Sequence, residues 1–157
     1  MGSFPFDGEG VPSQENELVR EGCFQGFLFD VYYGRKLGKP STGNAVRGGI
    51  KERPVCAPRG FYIGQGATDV DGAFRDGIII EELMGTHTAN TVTGDFSVGA
   101  LGHICKNEER RPFKGVIFSG NVFELFKNVK AAGNDLTFYG PYGSPTLYIT
   151  GLKISGA

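Results

Sequence analysis

The 157-residue sequence has no tryptophan, only two histidines and three cysteines, and no aliphatic run longer than Ile78-Ile79-Ile80. Each scarcity removes a class of protein. A run of three is far short of the roughly 18 apolar residues a membrane-crossing helix needs. Asp7, Glu9, Glu15, Glu17 and Arg20 break up the first twenty residues, so no signal-peptide core lies there. Cys23, Cys56 and Cys105 are odd in number and show no CxxC spacing, which argues against a disulfide framework and for a reducing compartment. Nor does one sign of charge dominate: 16 Lys and Arg stand against 17 Asp and Glu. A protein that binds nucleic acid through its overall field is normally basic. The expectation is a soluble cytoplasmic protein with no membrane and no nucleic-acid partner.

Glycine, by contrast, is abundant. Its 26 residues are roughly 17% of the chain, against a usual level of about 7%. They stand singly at the ends of apolar runs, as tight turns between strands require. Asn16–Arg20 and Cys23–Leu28 read as strands joined at Glu21-Gly22, a hairpin signal. Asp30 caps a helix over Val31–Leu37 that Gly38 ends. Ser41–Pro54 reads as loop, and without GxxxxGK[ST] spacing its glycines make no phosphate cradle. Arg59–Gln65 reads as a strand and Asp69–Arg75 as one helical turn. Gly77–Met84 is the most apolar strand and is expected at the centre of a sheet, although Glu81-Glu82-Leu83-Met84 equally suits a helix start. Phe96–Cys105 and Pro112–Ser119 form a second hairpin turned at Lys106–Arg111. Asn121 with Glu124 matches a capping box. Val122, Leu125, Phe126, Val129 and Ala132 follow on one helical face, which predicts a helix stopped by Gly133. Thr146–Ile149 and Leu152–Ile154 are closing strands. The fold class is α+β: one domain over residues 1–157, mostly antiparallel and barrel-like, with two or three short helices.

No complete catalytic set appears. His103 and Cys105 share a strand face with Leu101, but two ligands are too few for zinc unless His87 joins them. The cysteines read as small apolar fillers. Glu81 and Glu82 are neighbours on a strand and point to opposite faces. The Gly-bounded stretch from Gly85 to Ser97, GTHTANTVTGDFS, packs His87, Asn90, Thr93 and Asp95 into a polar loop. Asp95 there is either an Asx-type turn residue or a substrate contact. His87 has base chemistry without a visible nucleophile. Asn134 and Asp135 are either cap and turn residues or part of a cleft.

Several stretches occur together in one order: FDGEGVPSQ, DVYYGRKLGKPSTGNA, APRGFYI, ELMGTHTANTVTGDFSVGALG, FSGNVFELFKNVKAAGNDL and SPTLYITGLKISG. In this combination the chain resembles the C-terminal domain of the TldD/PmbA family, once labelled modulators of DNA gyrase. The resemblance covers nearly the whole chain. It implies intracellular proteolysis and peptide maturation by longer, two-domain proteins in which TldD-type and PmbA-type subunits pair. It also implies, for TldD-type subunits, a metallopeptidase centre built from an HExxxH helix lying N-terminal to the region covered here and a cysteine in the C-terminal domain shortly after the GND block. This sequence contains no HExxxH, and no cysteine occurs between Asp135 and Ala157. The resemblance is therefore to the PmbA-type subunit, as a C-terminal piece without catalytic residues, metal or cofactor of its own, and not active alone. It places GTHTANTVTGDFS in a cleft-facing segment. His87, Asn90, Thr93, Asp95, Asn134 and Asp135 thus become candidate contacts to a peptide substrate or a partner. That partner is a TldD-type subunit or, by self-association, a second copy. The rival readings are a scaffold domain with no peptide contact and, from the family's old label, binding to DNA or gyrase.

Overall fold

The computed structural model describes residues 4–69, 76–107 and 109–156. The chain forms two compact units. One takes the residues up to Tyr62 together with Phe138–Gly143; the other takes Ile63–Thr137 and the residues from Ser144 onward. Two α-helices among the described residues accompany mostly antiparallel strands, in agreement with the α+β reading.

In the first unit, β1 (Val19–Arg20) and β2 (Cys23–Phe24) form the expected hairpin. Its two turn residues, Glu21 and Gly22, both have positive φ, at 51° and 78°, as a tight hairpin turn demands. The strands are shorter than the sequence indicates, and Cys23 is exposed on β2, so it does not act as an apolar filler. Helix α1 covers Val31–Leu37 as expected. The Asp30 carboxylate caps it by accepting from Tyr33 N–H at 2.7 Å, and Glu9 accepts from Val31 N–H at 2.8 Å. Gly38 ends it in the left-handed region. The stretch read as loop contains β3 (Ala45–Val46), which pairs with β4 (Val55–Cys56). The strand expected over Arg59–Gln65 is reduced to β5 (Phe61–Tyr62). It forms a three-stranded sheet with β10 (Thr137–Tyr139) and β11 (Tyr142–Ser144), in the order β10-β11-β5. The β11–β5 pair is parallel.

Asp7 organises the entry to this unit. Its carboxylate is 7% exposed. It accepts N–H groups from Glu9 at 2.8 Å and Val11 at 2.9 Å on one oxygen, and from Ala45 at 3.0 Å on the other. Burial works to raise its pKa, but the donors from Ala45, Glu9 and Val11, helped by the Arg59 charge, leave it below the ordinary 3.8.

The second unit is built on a four-stranded antiparallel sheet in the order β13-β8-β7-β6: Lys153–Ser155, Glu109–Asn121, Asp95–Lys106 and Gly77–Met84. Gly77–Met84 therefore lies at the sheet edge, not at its centre. The long β7–β8 hairpin takes the middle. Ile80 packs against the core, while the flanking Ile78, Leu83 and Met84 remain exposed. The core comprises Val98, Ala100, Val116 and Phe118. Ile80, Phe96, Phe113, Leu125, Leu152 and Ile154 pack around it. The Phe96 and Phe118 rings lie 5.0 Å apart.

The helix expected to run from Val122 to Ala132 stops early. Helix α2 covers only Val122–Lys127, and β9 (Val129–Ala132) follows, paired antiparallel with β12 (Leu147–Ile149). Asn128 closes the helix: its backbone and side-chain N–H groups both donate to Glu124 O, at 3.1 and 2.9 Å. Beyond it, Val129, Ala131 and Ala132 pair with Ile149, Tyr148 and Leu147 of β12, and the extended backbone suits β-branched Val129. Gly133 is accordingly no helix stop. It donates to Thr146 O and accepts from Gly66 N–H, each at 2.8 Å. The helical turn expected over Asp69–Arg75 falls outside the described residues after Asp69.

Candidate functional site

The Gly85-to-Ser97 stretch leaves β6 at Gly85, which is left-handed with φ 77°, and makes one 3₁₀ turn over Thr86–Thr88. His87 is exposed on that turn, and Val92 is 86% exposed at the tip. The rest of the loop is tied to itself. The Asn90 side-chain oxygen accepts from Val92 N–H at 2.9 Å and Thr93 N–H at 3.1 Å, an Asx turn. Asn90 N–H donates to Asp95 O, and Gly94 N–H to Asn90 O. Asn90, not Asp95, thus forms the Asx turn.

Asp95 instead anchors side chains. The Thr93 hydroxyl donates to one carboxylate oxygen at 2.7 Å, and the Asn121 amide donates to the other at 2.8 Å. The Asn121 donor first, and then the Thr93 hydroxyl, hold this carboxyl below the ordinary 3.8. Asn121 uses both ends of its amide. Its nitrogen also donates to Thr93 O at 2.9 Å, and its oxygen caps α2 through Phe123 N–H at 3.0 Å. Glu124 does not complete the expected capping box; it pairs with Lys127 at 2.8 Å. Gly94 lies where a Cβ would come within 2.9 Å of the Phe123 ring, with φ 81°, so both space and backbone conformation require glycine there. Beside this knot opens a cavity of about 430 Å³ lined by Asp95, Phe96, Asn121, Glu124, Leu152 and Lys153 among others.

Asn134 and Asp135 form a separate cluster. Asn134 N–H donates to Thr68 O at 3.0 Å. The Asp135 carboxylate accepts from Thr146 twice, from its hydroxyl at 2.6 Å and its N–H at 2.9 Å. Among the described residues, no hydrogen bond joins this cluster to the 85–97 loop, so the six candidate residues fall into two groups. The Thr146 hydroxyl is the first cause, and its N–H the second, of an Asp135 pKa below 3.8. Thr146→Val removes the hydroxyl but keeps the N–H, so the Asp135 titration moves upward yet stays below that of a free aspartate. Carboxyl-carbon NMR across an acid titration reads this directly.

Among the described residues, no three or more His, Cys, Asp or Glu side chains gather as a metal would need. His103 faces Glu81 instead, Nδ1 to Oε1 at 3.1 Å, while Cys105 is buried. No described helix is long and apolar enough to cross a membrane. Asn121 and Asp7 are the organising residues that the motif reading missed. Asn121 was visible only as a cap; its facing of Asp95 depends on strand register.

The profile of the PmbA/TldA metallopeptidase C-terminal domain matches residues 1–156. The metalloprotease PmbA homolog of Haemophilus influenzae is 34% identical over 157 residues, covering 99% of this chain and 33% of that protein. The structure of TldE from Thermococcus kodakarensis superposes with a TM-score of 0.80 at 27% identity, covering 98% of this chain and 36% of that one. A Thermotoga maritima protein named as a modulator of a DNA gyrase gives a TM-score of 0.82 at 30% identity, over 98% and 36% of the two chains. This chain spans about a third of the length of the curated relatives it matches. On the profile match across almost every residue, the chain belongs to the PmbA/TldA metallopeptidase C-terminal domain family.

Proposed function

We propose that this chain is a C-terminal module of a PmbA-like subunit that helps form a peptide cleft and dock a TldD-type subunit, without supplying the metal site. The observation that carries this reading is the internally bonded 85–97 loop. Asn90, Thr93, Asp95 and Asn121 fix its backbone, while His87 and Val92 remain outward. A fixed polar loop loses little freedom when a peptide lies against it, which favours binding. No cysteine follows the GND block between Asp135 and Ala157, and in this reading the metal centre belongs to the TldD-type subunit.

A photo-reactive residue placed at Val92 in the full-length pair tests the proposal. It should label bound peptide, or the TldD-type subunit, within the assembly. Labelling of neither, with peptide cross-links confined to the other subunit, leaves only the scaffold reading. A salt-sensitive shift of duplex DNA would instead support the DNA reading, since phosphate contacts release counterions and depend steeply on salt.

A further inference from the structure

Strand β13 of the second unit begins at Lys153, whose register partner on β8 is Ser119. Their side chains therefore stand next to each other on one face of the sheet. Both line the cavity of about 430 Å³ beside the Asp95 knot, a volume within the roughly 300–1,000 Å³ of ligand sites. Among the described residues, the Lys153 ammonium makes no ion pair or hydrogen bond, and the Ser119 hydroxyl makes no hydrogen bond. The two carboxylates of the same cavity are already committed, Asp95 to Thr93 and Asn121, and Glu124 to Lys127. Asp95 and Asn121 are partners two residues further along their strands, about 7 Å from the Ser119 row. The cavity thus holds unpartnered donors at one end and a satisfied anion at the other. Phe96 and Leu152 form its apolar wall. They meet over Gly120, where a Cβ would come within 3.2 Å of Phe96 and 3.8 Å of Leu152.

We infer that this cavity binds a peptide carboxylate, with Lys153 and Ser119 as its donors and the Phe96–Leu152 wall against the neighbouring apolar group. The inference rests on the reading of this chain as part of a peptide cleft, and it names the group recognised there. An ammonium and a hydroxyl on adjacent strands both donate to an oxygen, and hydrogen bonds to a charged acceptor are the strong ones. The flexible lysine stem lets the charge follow the ligand. A cationic group would be repelled by Lys153 and would find at Asp95 only oxygens that already accept. A phosphate, with nearly two charges, would call for more than the one cation that lines this cavity. A carboxylate carries the single charge that Lys153 matches. It comes either from a peptide C-terminus or from an acidic side chain, and both sources present the same two oxygens.

Titration of the ¹⁵N-labelled chain with three small probes, followed by NMR, tests it. The probes are N-acetyl-alanyl-leucine, its C-terminal amide, and N-acetyl-alanyl-glutamate carrying a C-terminal amide. The expected result is a saturable shift of the Ser119, Gly120, Leu152 and Lys153 amide signals with a carboxylate probe, and binding at least roughly tenfold weaker for the neutral amide. Preference for the first probe assigns the site to chain ends; preference for the third assigns it to acidic side chains. Lys153→Gln should weaken carboxylate binding at least roughly tenfold, while Lys153→Arg, which keeps the charge, should restore most of it. Lys130→Gln, at an exposed lysine of β9 outside the cavity, should leave it unchanged. If Lys153→Gln fails to fold, the comparison of acid with amide on the unaltered chain carries the decision. Equal binding of the neutral amide, or full affinity in Lys153→Gln, overturns the inference and leaves peptide contact at the 85–97 loop standing. So does equal weakening by Lys130→Gln, which would mark an unspecific charge effect. Absence of shifts with all three probes also overturns it, while the Val92 cross-link decides the cleft reading separately.

Discussion

Replacing Asp7 with alanine should destabilise the protein by about 3 kcal/mol, measured by urea denaturation. Hydrogen bonds to a charged acceptor contribute about 1.5–3 kcal/mol each, and Asp7 accepts three. The Glu9 and Val11 donors lie in partly exposed chain and recover water when the carboxylate is removed. The Ala45 donor does not, because Ala45 is 0% exposed, and its unpaired N–H accounts for most of the cost. Asp7→Asn should fall between: its side-chain oxygen still serves Glu9 and Val11, but its NH₂ now faces the Ala45 N–H. The pH dependence follows from the direction of the shift. The folded pKa lies below the ordinary 3.8, so this stabilisation is fully present above the unfolded value and is lost as pH falls through the folded one. The wild type should therefore lose stability in acid more steeply than Asp7→Asn. A loss below about 1 kcal/mol for the alanine variant would match an ordinary substitution and rule out the carboxylate as the anchor of the FDGEG turn.

That anchor was not legible in the sequence. FDGEG reads as a turn, and its decisive partner lies 38 residues away at Ala45. The features that could be read were those whose causes are local. Asp30 and Gly38 bracket α1, Glu21-Gly22 turns the first hairpin, and Asn121 caps α2. Where a distant pairing competes with a local preference, local reading fails. Val129 and Ala132 continue a helical face, yet pairing with β12 takes them into a strand. Ile78–Ile80 are apolar enough for a central strand, yet the long hairpin beside them occupies the middle of the sheet.

The candidate site shows the same limit in one residue. Near the hairpin turn, Cys105 faces Arg110 and Leu101 faces Lys114. Continued without interruption, that register would set Asp95 opposite Gly120. Gly115, with φ 82°, is instead an extra residue in β8 between the partners of Ala100 and Leu101. This bulge moves the register by one, so Asn121 faces Asp95. The polar loop itself was visible as a cluster of Asn, Thr and Asp between glycines. The residue that locks it depends on one glycine in the opposite strand.

The same region gives the second large effect. Gly102→Ala should destabilise the second unit by about 3 kcal/mol, at the top of the usual range for overpacking, and lower the melting temperature by roughly 6–12 °C. Gly102 is buried on β7 and pairs with Ile80 and Phe113. A Cβ there would overlap the Ile79 carbonyl oxygen outright and lie 2.9 Å from its carbon and 3.1 Å from Ile80 Cα. All three are backbone atoms, so no rotamer change relieves the clash; β6 must move. It has little room, because its own bulge at Glu81, between the partners of Gly102 and Leu101, draws it against β7 at this level. Gly115→Ala is the control. Nothing lies within 4 Å of its Cβ position, so it bears only the left-handed backbone cost of about 1–2 kcal/mol. If Gly102→Ala costs no more than Gly115→Ala, β6 moves aside cheaply and the contact at Ile79 does not govern this part of the sheet. If Gly102→Ala is neutral, β6 is not held against β7 at Ile79, and the edge strand leading into the 85–97 loop is free to shift.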